Sequence, residues 1–427
     1  MRYSVPYGKH HLIFKIPKDF EVNNVNSKLC KPITNIISKT KESILNPINS
    51  LPLLELVKGK KSACILVTDI TRECPDKELL PPILETLETE LKKEDISILI
   101  ASGMHRKMTV DEKISKYGKK IVENYMIIDH DSRDEKKLVN LGTTKHGTKI
   151  HVSRLAFESE LLISLGVVEP HQFAGYSGGF KTMAIGAAGD TTISQTHSLN
   201  MLTNPKTGLT RLKGNPVYED IIEIGKKTGL KFVVNVVIGK EQQILEIKSG
   251  EPQETQNVLI KFSQEINEIP VNKSYDVAIC GVGFPKDTNL YQVSRAASYL
   301  FFASVKVIKE GGYIIIPARC EEGAGQGVGE QRFFTMLKNK SLKGIINSTS
   351  EFKAGEQRAF FMANVLSHYK VIIVDSFVPE IIREAKMIPA KNMEEAFEIV
   401  KNDLGSNLDL ILIPKSLSTL PILAKSF

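Results

Sequence analysis

No uncharged apolar run in the 427 residues reaches the roughly 20 positions that a membrane-spanning helix needs. The opening MRYSVPYGKHHLIF lacks the pattern of a cleavable signal, so the chain is expected in the cytoplasm and away from membranes. The five cysteines, Cys30, Cys64, Cys74, Cys280 and Cys320, show neither CxxC spacing nor a disulfide framework. Cys64 and Cys280 fall inside apolar runs and read as packing residues. There is no block of like charge: the formal net charge is +7, but the lysines are scattered among glutamates, which argues against a nucleic-acid binder. A small anionic substrate fits that balance. With 42% hydrophobic and 25% charged residues, the composition is that of a folded globular chain and excludes a function built on disorder. No internal repeat is visible, and there is neither a Walker loop nor a GxGxxG fingerprint.

What is present is a βα rhythm repeated along a chain too long for one core, given about 100 to 200 residues per domain. Short β-rich runs at Ser62–Asp69, Asp95–Ala101, Tyr125–His130, Glu160–Gly166 and Lys231–Ile238 alternate with helical stretches. Among these are a stretch through Leu91 that Pro81 and Pro82 would start or kink, Val110–Asn124 capped by Thr109, and Val217–Thr228. The rhythm restarts after Pro270 and Asn272, with strands at Tyr275–Cys280, Tyr313–Pro317, Val371–Asp375 and Leu408–Ile413 and helices at Arg295–Lys309 and Met393–Asn402. This predicts an α/β fold of two βα-type domains, residues 1–268 and 269–427, with mostly parallel sheets and an active-site cleft between them.

Candidate functional residues gather where such a fold binds ligands, just past the carboxyl ends of strands. Asp69, Thr71 and Arg72 follow the first strand. Arg72 has a fork suited to carboxylate or phosphate, though an Asp69–Arg72 surface pair is an equal alternative. His105 follows the second strand, where a structural or merely exposed imidazole is the plainer reading. After the Glu160–Gly166 run comes EPHQFAGYSGGFK, with His171, a glycine cluster and Lys181. Gly175, Gly178 and Gly179 read either as a phosphate cradle or as a flexible turn. DHDSRD, with Asp129, His130, Asp131 and Asp134, has the residues of a metal cluster but also those of ordinary turns. GVGFPKD after Cys280 is a poor dinucleotide fingerprint. Two imidazoles can flank a substrate as general acid and base, which suits inversion of a stereocentre.

Five segments together carry a resemblance: DITR at Asp69–Arg72, SGMHR at Ser102–Arg106, EPHQFAGYSGGFK at Glu169–Lys181, His197, and PKDTNLYQ at Pro285–Gln292. The chain resembles, over most of its length, the nickel-pincer lactate racemase family. The resemblance implies a racemase or epimerase of a 2-hydroxy acid that works by hydride transfer through a 2-keto acid. It implies two cofactor components, nickel and a pyridinium-3-thioamide-5-thiocarboxylic acid mononucleotide, the latter covalently bound to Lys181. His197 would ligate the metal, a soft square-planar site that suits Ni(II). His105 and His171 match the acid and base positions. Asp69, Thr71, Arg72, Gly178 and Gly179 would contact the cofactor, and Arg72, Tyr291, Gln292 and Arg295 the substrate. Cofactor-synthesis and nickel-insertion enzymes are the implied partners.

The chain departs from the family pattern at Arg295, where a lysine is usual, and it contains no tryptophan to match one in the family's second domain; near Gln357 it reads GEQRAFF. Arginine is planar and bidentate, so lactate is one candidate substrate among several. Two rival readings are a metal-dependent lyase or hydrolase in which His105, His171 and His197 are direct ligands, and a non-catalytic anion- or nucleotide-binding protein.

Overall fold

The computed structural model describes residues 2–239, 242–303, 306–348, 352–353 and 355–423. The chain divides into two compact units, Leu29–Gln264 and a second made of Met1–Lys28 with Glu265–Phe427. Each is α/β. Among the described residues no helix is long and apolar enough to cross a membrane.

The sheet of the first unit has six strands, in the order Ile244–Gly250, Phe232–Ile238, Leu161–Val167, Ala63–Val67, Ile96–Ile100, Met126–Asp129. Only the Ile244–Gly250 edge is antiparallel to its neighbour. Strands in a parallel sheet covered by helices on both faces are apolar throughout, and every residue of Ala63–Val67, Ile96–Ile100 and Leu161–Val167 is buried. Strand order reverses next to Ala63–Val67. From it the chain goes to Ile96–Ile100 and Met126–Asp129 on one side, then returns to Leu161–Val167 and Phe232–Ile238 on the other. The two loops leaving Val67 and Val167 therefore diverge at a switch point, where open α/β sheets leave a crevice.

The second unit has an all-parallel six-stranded sheet, ordered Ile388–Ala390, Lys370–Val374, Ile308–Pro317, Tyr275–Cys280, Leu408–Ile413, Phe20–Asn24. Its switch point lies beside Tyr275–Cys280, the strand that leads into PKDTNLYQ. Phe20–Asn24 is the edge strand here, so residues 1–28 pack with the C-terminal unit rather than within an N-terminal domain of residues 1–268. Nothing local to residues 1–28 announces that partner, which is more than 380 positions away along the chain.

Several elements differ from their sequence expectations. The helix expected at Arg295–Lys309 is Leu290–Phe301, started by the Asn289 side chain accepting from Gln292 N; Ile308 already belongs to the next strand. Thr109 caps its helix as expected, in a capping box with Glu112, but Gly118 at φ 90° divides the segment into Val110–Tyr117 and Lys119–Asn124. Pro81 and Pro82 lie inside the helix Asp76–Leu87, where burial of Leu79, Leu80, Ile83, Leu84 and Leu87 offsets the missing N–H donors. The hairpin Leu138–Thr143 with Lys149–Ser153 and the helices Val328–Asn339 and Glu356–His368 were not legible. Glu356–His368 buries residues around most of its circumference and so shows no apolar stripe.

The loop after Val67 is tied down from below. Lys116 Nζ lies 3.0 Å from Asp76 Oδ2 and donates to the carbonyls of Arg72 and Cys74, each at 2.6 Å. The pair is buried, with side-chain exposures of 8% and 0%. Removing one partner of a buried pair leaves an uncompensated charge, so Lys116→Met is expected to cost about 3–5 kcal/mol in denaturant unfolding, with part recovered on adding Asp76→Asn. A single-variant cost below about 1 kcal/mol would show that the pair is solvated and the loop held otherwise.

Candidate active site

Three of the candidate segments leave the carboxyl ends of three adjacent parallel strands, Leu161–Val167, Ala63–Val67 and Ile96–Ile100. Adjacency in the sheet brings Asp69 and His105 together. Asp69 Oδ2 is 2.5 Å from His105 Nδ1, while its Oδ1 accepts from Thr71 Oγ1 at 2.6 Å and Thr71 N at 3.0 Å. Arg72 Nη1 in turn donates to Thr71 Oγ1 at 2.7 Å. Asp69 is 4% exposed, so it is not half of a surface pair with Arg72.

Burial alone would raise the Asp69 carboxyl. The His105 charge and hydrogen bond, with Arg72 and Thr71, outweigh it and hold the group well below its ordinary 3.8. An ionised carboxylate only accepts, so His105 Nδ1 carries the donated proton, and whenever the ring is neutral its lone pair lies on Nε2.

His171 is set the other way. It lies on a two-residue hairpin, paired with Gly175, and its Nδ1 accepts from Phe173 N at 3.3 Å and Ala174 N at 3.2 Å. The proton of that ring is therefore on Nε2. Phe173 stands edge-on between two imidazoles, 5.6 Å from the His171 centroid and 5.5 Å from that of His197. Its carbonyl is held at 2.6 Å by Nδ2 of Asn215, which also caps the helix Pro216–Lys227. His197 ends the helix Asp190–Thr196, with Nδ1 donating to the Ile193 carbonyl at 2.8 Å, which puts its lone pair on Nε2.

Lys181 follows directly on the glycine loop and precedes a π-helical turn, Thr182–Gly186, a distortion often found at functional sites. The glycines are closely packed. Gly179 N–H donates to Asn235 Oδ1 at 2.8 Å, and a Cβ on Gly178, at φ 79°, would sit 2.5 Å from Val168 Cγ2. Gln256 holds the same loop through the Ser177 carbonyl. The His105 loop joins this turn through Gly103 N to the Gly186 carbonyl at 2.8 Å. Asp69, Thr71, Arg72, His105, His171, Lys181 and His197 all lie in one unit.

In the second unit, Tyr291, Gln292 and Arg295 occupy the first two turns of Leu290–Phe301. Gln292 is fully buried, with neither amide atom hydrogen-bonded. Among the described residues no three His, Cys, Asp or Glu side chains gather to hold a metal ion, so a centre ligated directly by the three histidines finds no support. The DHDSRD segment is built as turns: Asp131 and Asp134 accept from backbone N–H groups, Asp129 pairs with Lys113, and buried His130 donates to the Ala188 carbonyl.

Family models named Lactate racemase N-terminal domain and Lactate racemase C-terminal domain match residues 7–210 and 271–420. The chain belongs to the lactate racemase family. It is 32% identical to the lactate racemase of Thermoanaerobacterium thermosaccharolyticum over 98% of both chains. It is 31% identical to that of Lactiplantibacillus plantarum, over 98% of this chain and 99% of the relative. The apoprotein structure of the Thermoanaerobacterium enzyme superposes with a TM-score of 0.87 at 30% identity, covering 99% of this chain and all of that one. A Thermotoga maritima structure at 19% identity and TM-score 0.70, covering 93% of this chain and all of that one, shares the fold. The relatives named lactate racemase are isomerases, and so is the family. The Asp69–His105 pair, Phe173 and Asn215 were missed as site-shaping groups; strand adjacency was the one signal for the first.

The depressed Asp69 carboxyl stabilises the fold above the unfolded value of 3.8 and ceases to do so as pH falls through its lower native value. Asp69→Asn should therefore be less stable than the parent at neutral pH, with the gap closing below pH 3.8 in urea titrations. A gap independent of pH would mean that Asp69 carries no such charge.

Proposed function

We propose that the protein racemises or epimerises a 2-hydroxy acid, lactate or a relative of it, with a nickel-pincer nucleotide tethered to Lys181. The observation that carries this reading is the opposed tautomers of His105 and His171, one ring presenting a base at Nε2 and the other an acid.

The donor set suits the proposed cofactor. His197 has Nδ1 tied to a backbone carbonyl, the outer-shell arrangement that readies Nε2 as a metal ligand, and nickel accepts imidazole. Lys181 would carry the nucleotide, His197 would complete the metal's coordination, and Thr71 and Arg72 would contact the remainder. When bound, the group supplies a hydride acceptor, a function that no ordinary side chain provides.

The protein's own side chains handle the proton. The C2 hydrogen of a 2-hydroxy acid, beside an ionised carboxylate, is too weakly acidic for imidazole, whereas the hydroxyl proton can pass to it as C2 becomes planar. His105 Nε2 takes that proton from one enantiomer, and His171 Nε2–H returns one when the opposite face is rebuilt; the reverse reaction exchanges the roles. Asp69 keeps the His105 ring in register and stabilises it once protonated. Arg72 holds the substrate carboxylate, and Tyr291, Gln292 and Arg295 are the substrate-binding residues proposed for the second unit.

Protein co-produced with the cofactor-synthesis enzymes should interconvert single enantiomers of 2-hydroxy acids, followed by optical rotation, with little solvent deuterium appearing at C2. Intact-mass analysis should find an adduct that Lys181→Ala loses together with activity. His105→Ala and His171→Ala should each lower kcat about 10²–10⁴-fold while keeping the adduct. Active protein with an unmodified Lys181 and no nickel would sink the proposal.

A further inference from the structure

Asn215 is fully buried, and backbone groups saturate its side-chain amide. Nδ2 donates to two carbonyls, Phe173 at 2.6 Å and Arg211 at 2.8 Å, while Oδ1 accepts from Val217 N at 3.0 Å and Tyr218 N at 3.4 Å. Two carbonyls on one side and two N–H groups on the other leave the amide a single orientation. The segment before Asn215 also seats the His171 hairpin. Thr210 N donates to the Gly175 carbonyl at 3.1 Å, and a Cβ on Gly175 would lie 2.4 Å from the Arg211 carbonyl oxygen.

The Phe173 carbonyl and the Ala174 N–H belong to one peptide group. Its trans geometry points them in opposite directions, so the bond from Asn215 enters at one end and the bond to His171 Nδ1, at 3.2 Å, leaves at the other. Hydrogen bonds in such a chain polarise one another, and a donor on the carbonyl oxygen strengthens the N–H of the same peptide. A stronger donor at Nδ1 favours the ring form that carries its proton on Nε2. We propose that Asn215 is a positioning residue for the isomerase reaction, fixing the tautomer and orientation of His171 through the Phe173–Ala174 peptide. Capping of the helix Pro216–Lys227 uses Oδ1 alone, so the two roles divide between the two ends of the amide. The contribution to catalysis rests on the racemase reading above, whereas the hold on the His171 ring stands without it.

Asn215→Ser and Asn215→Asp each keep an oxygen to cap the helix and lose the Nδ2 donor, and Asn215→Ala loses both. In full-length protein labelled with 15N-histidine, with His171 assigned through His171→Gln, the parent should show well-separated signals from a protonated Nε2 and a bare Nδ1. In all three variants the two signals should move toward each other as tautomers mix. In cofactor-loaded protein, with lactate and 2-hydroxybutyrate as probes, kcat should fall about tenfold, the value of one hydrogen bond, with KM changed less than about threefold. A residue that only caps the helix predicts parental ring signals and rates in the Ser and Asp variants and losses in Asn215→Ala alone, and that result would overturn the proposal. Whichever of the two capping variants folds is enough to decide. Displaced ring signals with a parental kcat would keep the hold on the ring but strike out its contribution to catalysis. A loaded parent inactive on both probes would count against the racemase reading alone, since the ring signals are read without cofactor.

Discussion

Asp69 holds a negative charge at a position nearly closed to water, and the loops around it are arranged to answer that charge. A carboxylate with 4% exposure stays ionised only when donors surround it, and here they come from the next strand's loop, as His105 Nδ1, and from its own loop, as Thr71. The contact cannot form unless Ala63–Val67 and Ile96–Ile100 are neighbours in register, so the sheet and the site depend on one geometry. Beneath it a second buried pair, Lys116 with Asp76, pins the backbone of Arg72 and Cys74. The loop is therefore held from both sides and can keep an imidazole in one orientation.

Three histidines of the same intrinsic chemistry acquire different characters from the atom that meets Nδ1. A carboxylate makes His105 a donor there, two backbone N–H groups make His171 an acceptor, and a backbone carbonyl makes His197 a donor again. The outward Nε2 of the neutral ring is correspondingly left with a lone pair in His105 and His197 and with a proton in His171. Phe173, edge-on to two of the rings and fastened by Asn215, keeps them apart with an apolar wedge.

Much of the fold was legible because buried parallel strands read as short apolar runs between helical stretches. Ala63–Val67, Ile96–Ile100, Tyr275–Cys280 and Leu408–Ile413 lie where those runs predicted. The errors have local causes. The expected helix at Arg295–Lys309 began too late because Asn289 was not taken as its cap, and Glu356–His368 was missed because it is apolar on most sides. Gly178 and Gly179 have a spacing that also serves a loop pressed against the sheet, where Asn235, on a strand far along the chain, takes the Gly179 N–H.

The amino-acid sequence alone determined the βα alternation, the family, and the set of chemically capable residues, since periodicity and motif spacing are local properties of the chain. Tertiary structure decided which of those residues touch. It joined the strand Phe20–Asn24 to the C-terminal sheet, turned Asp69 toward His105, and laid Arg358 against Tyr291 and Ser298. The physical reason is that a tautomer or a buried charge is set by partners that only strand order and helix packing bring within hydrogen-bonding reach.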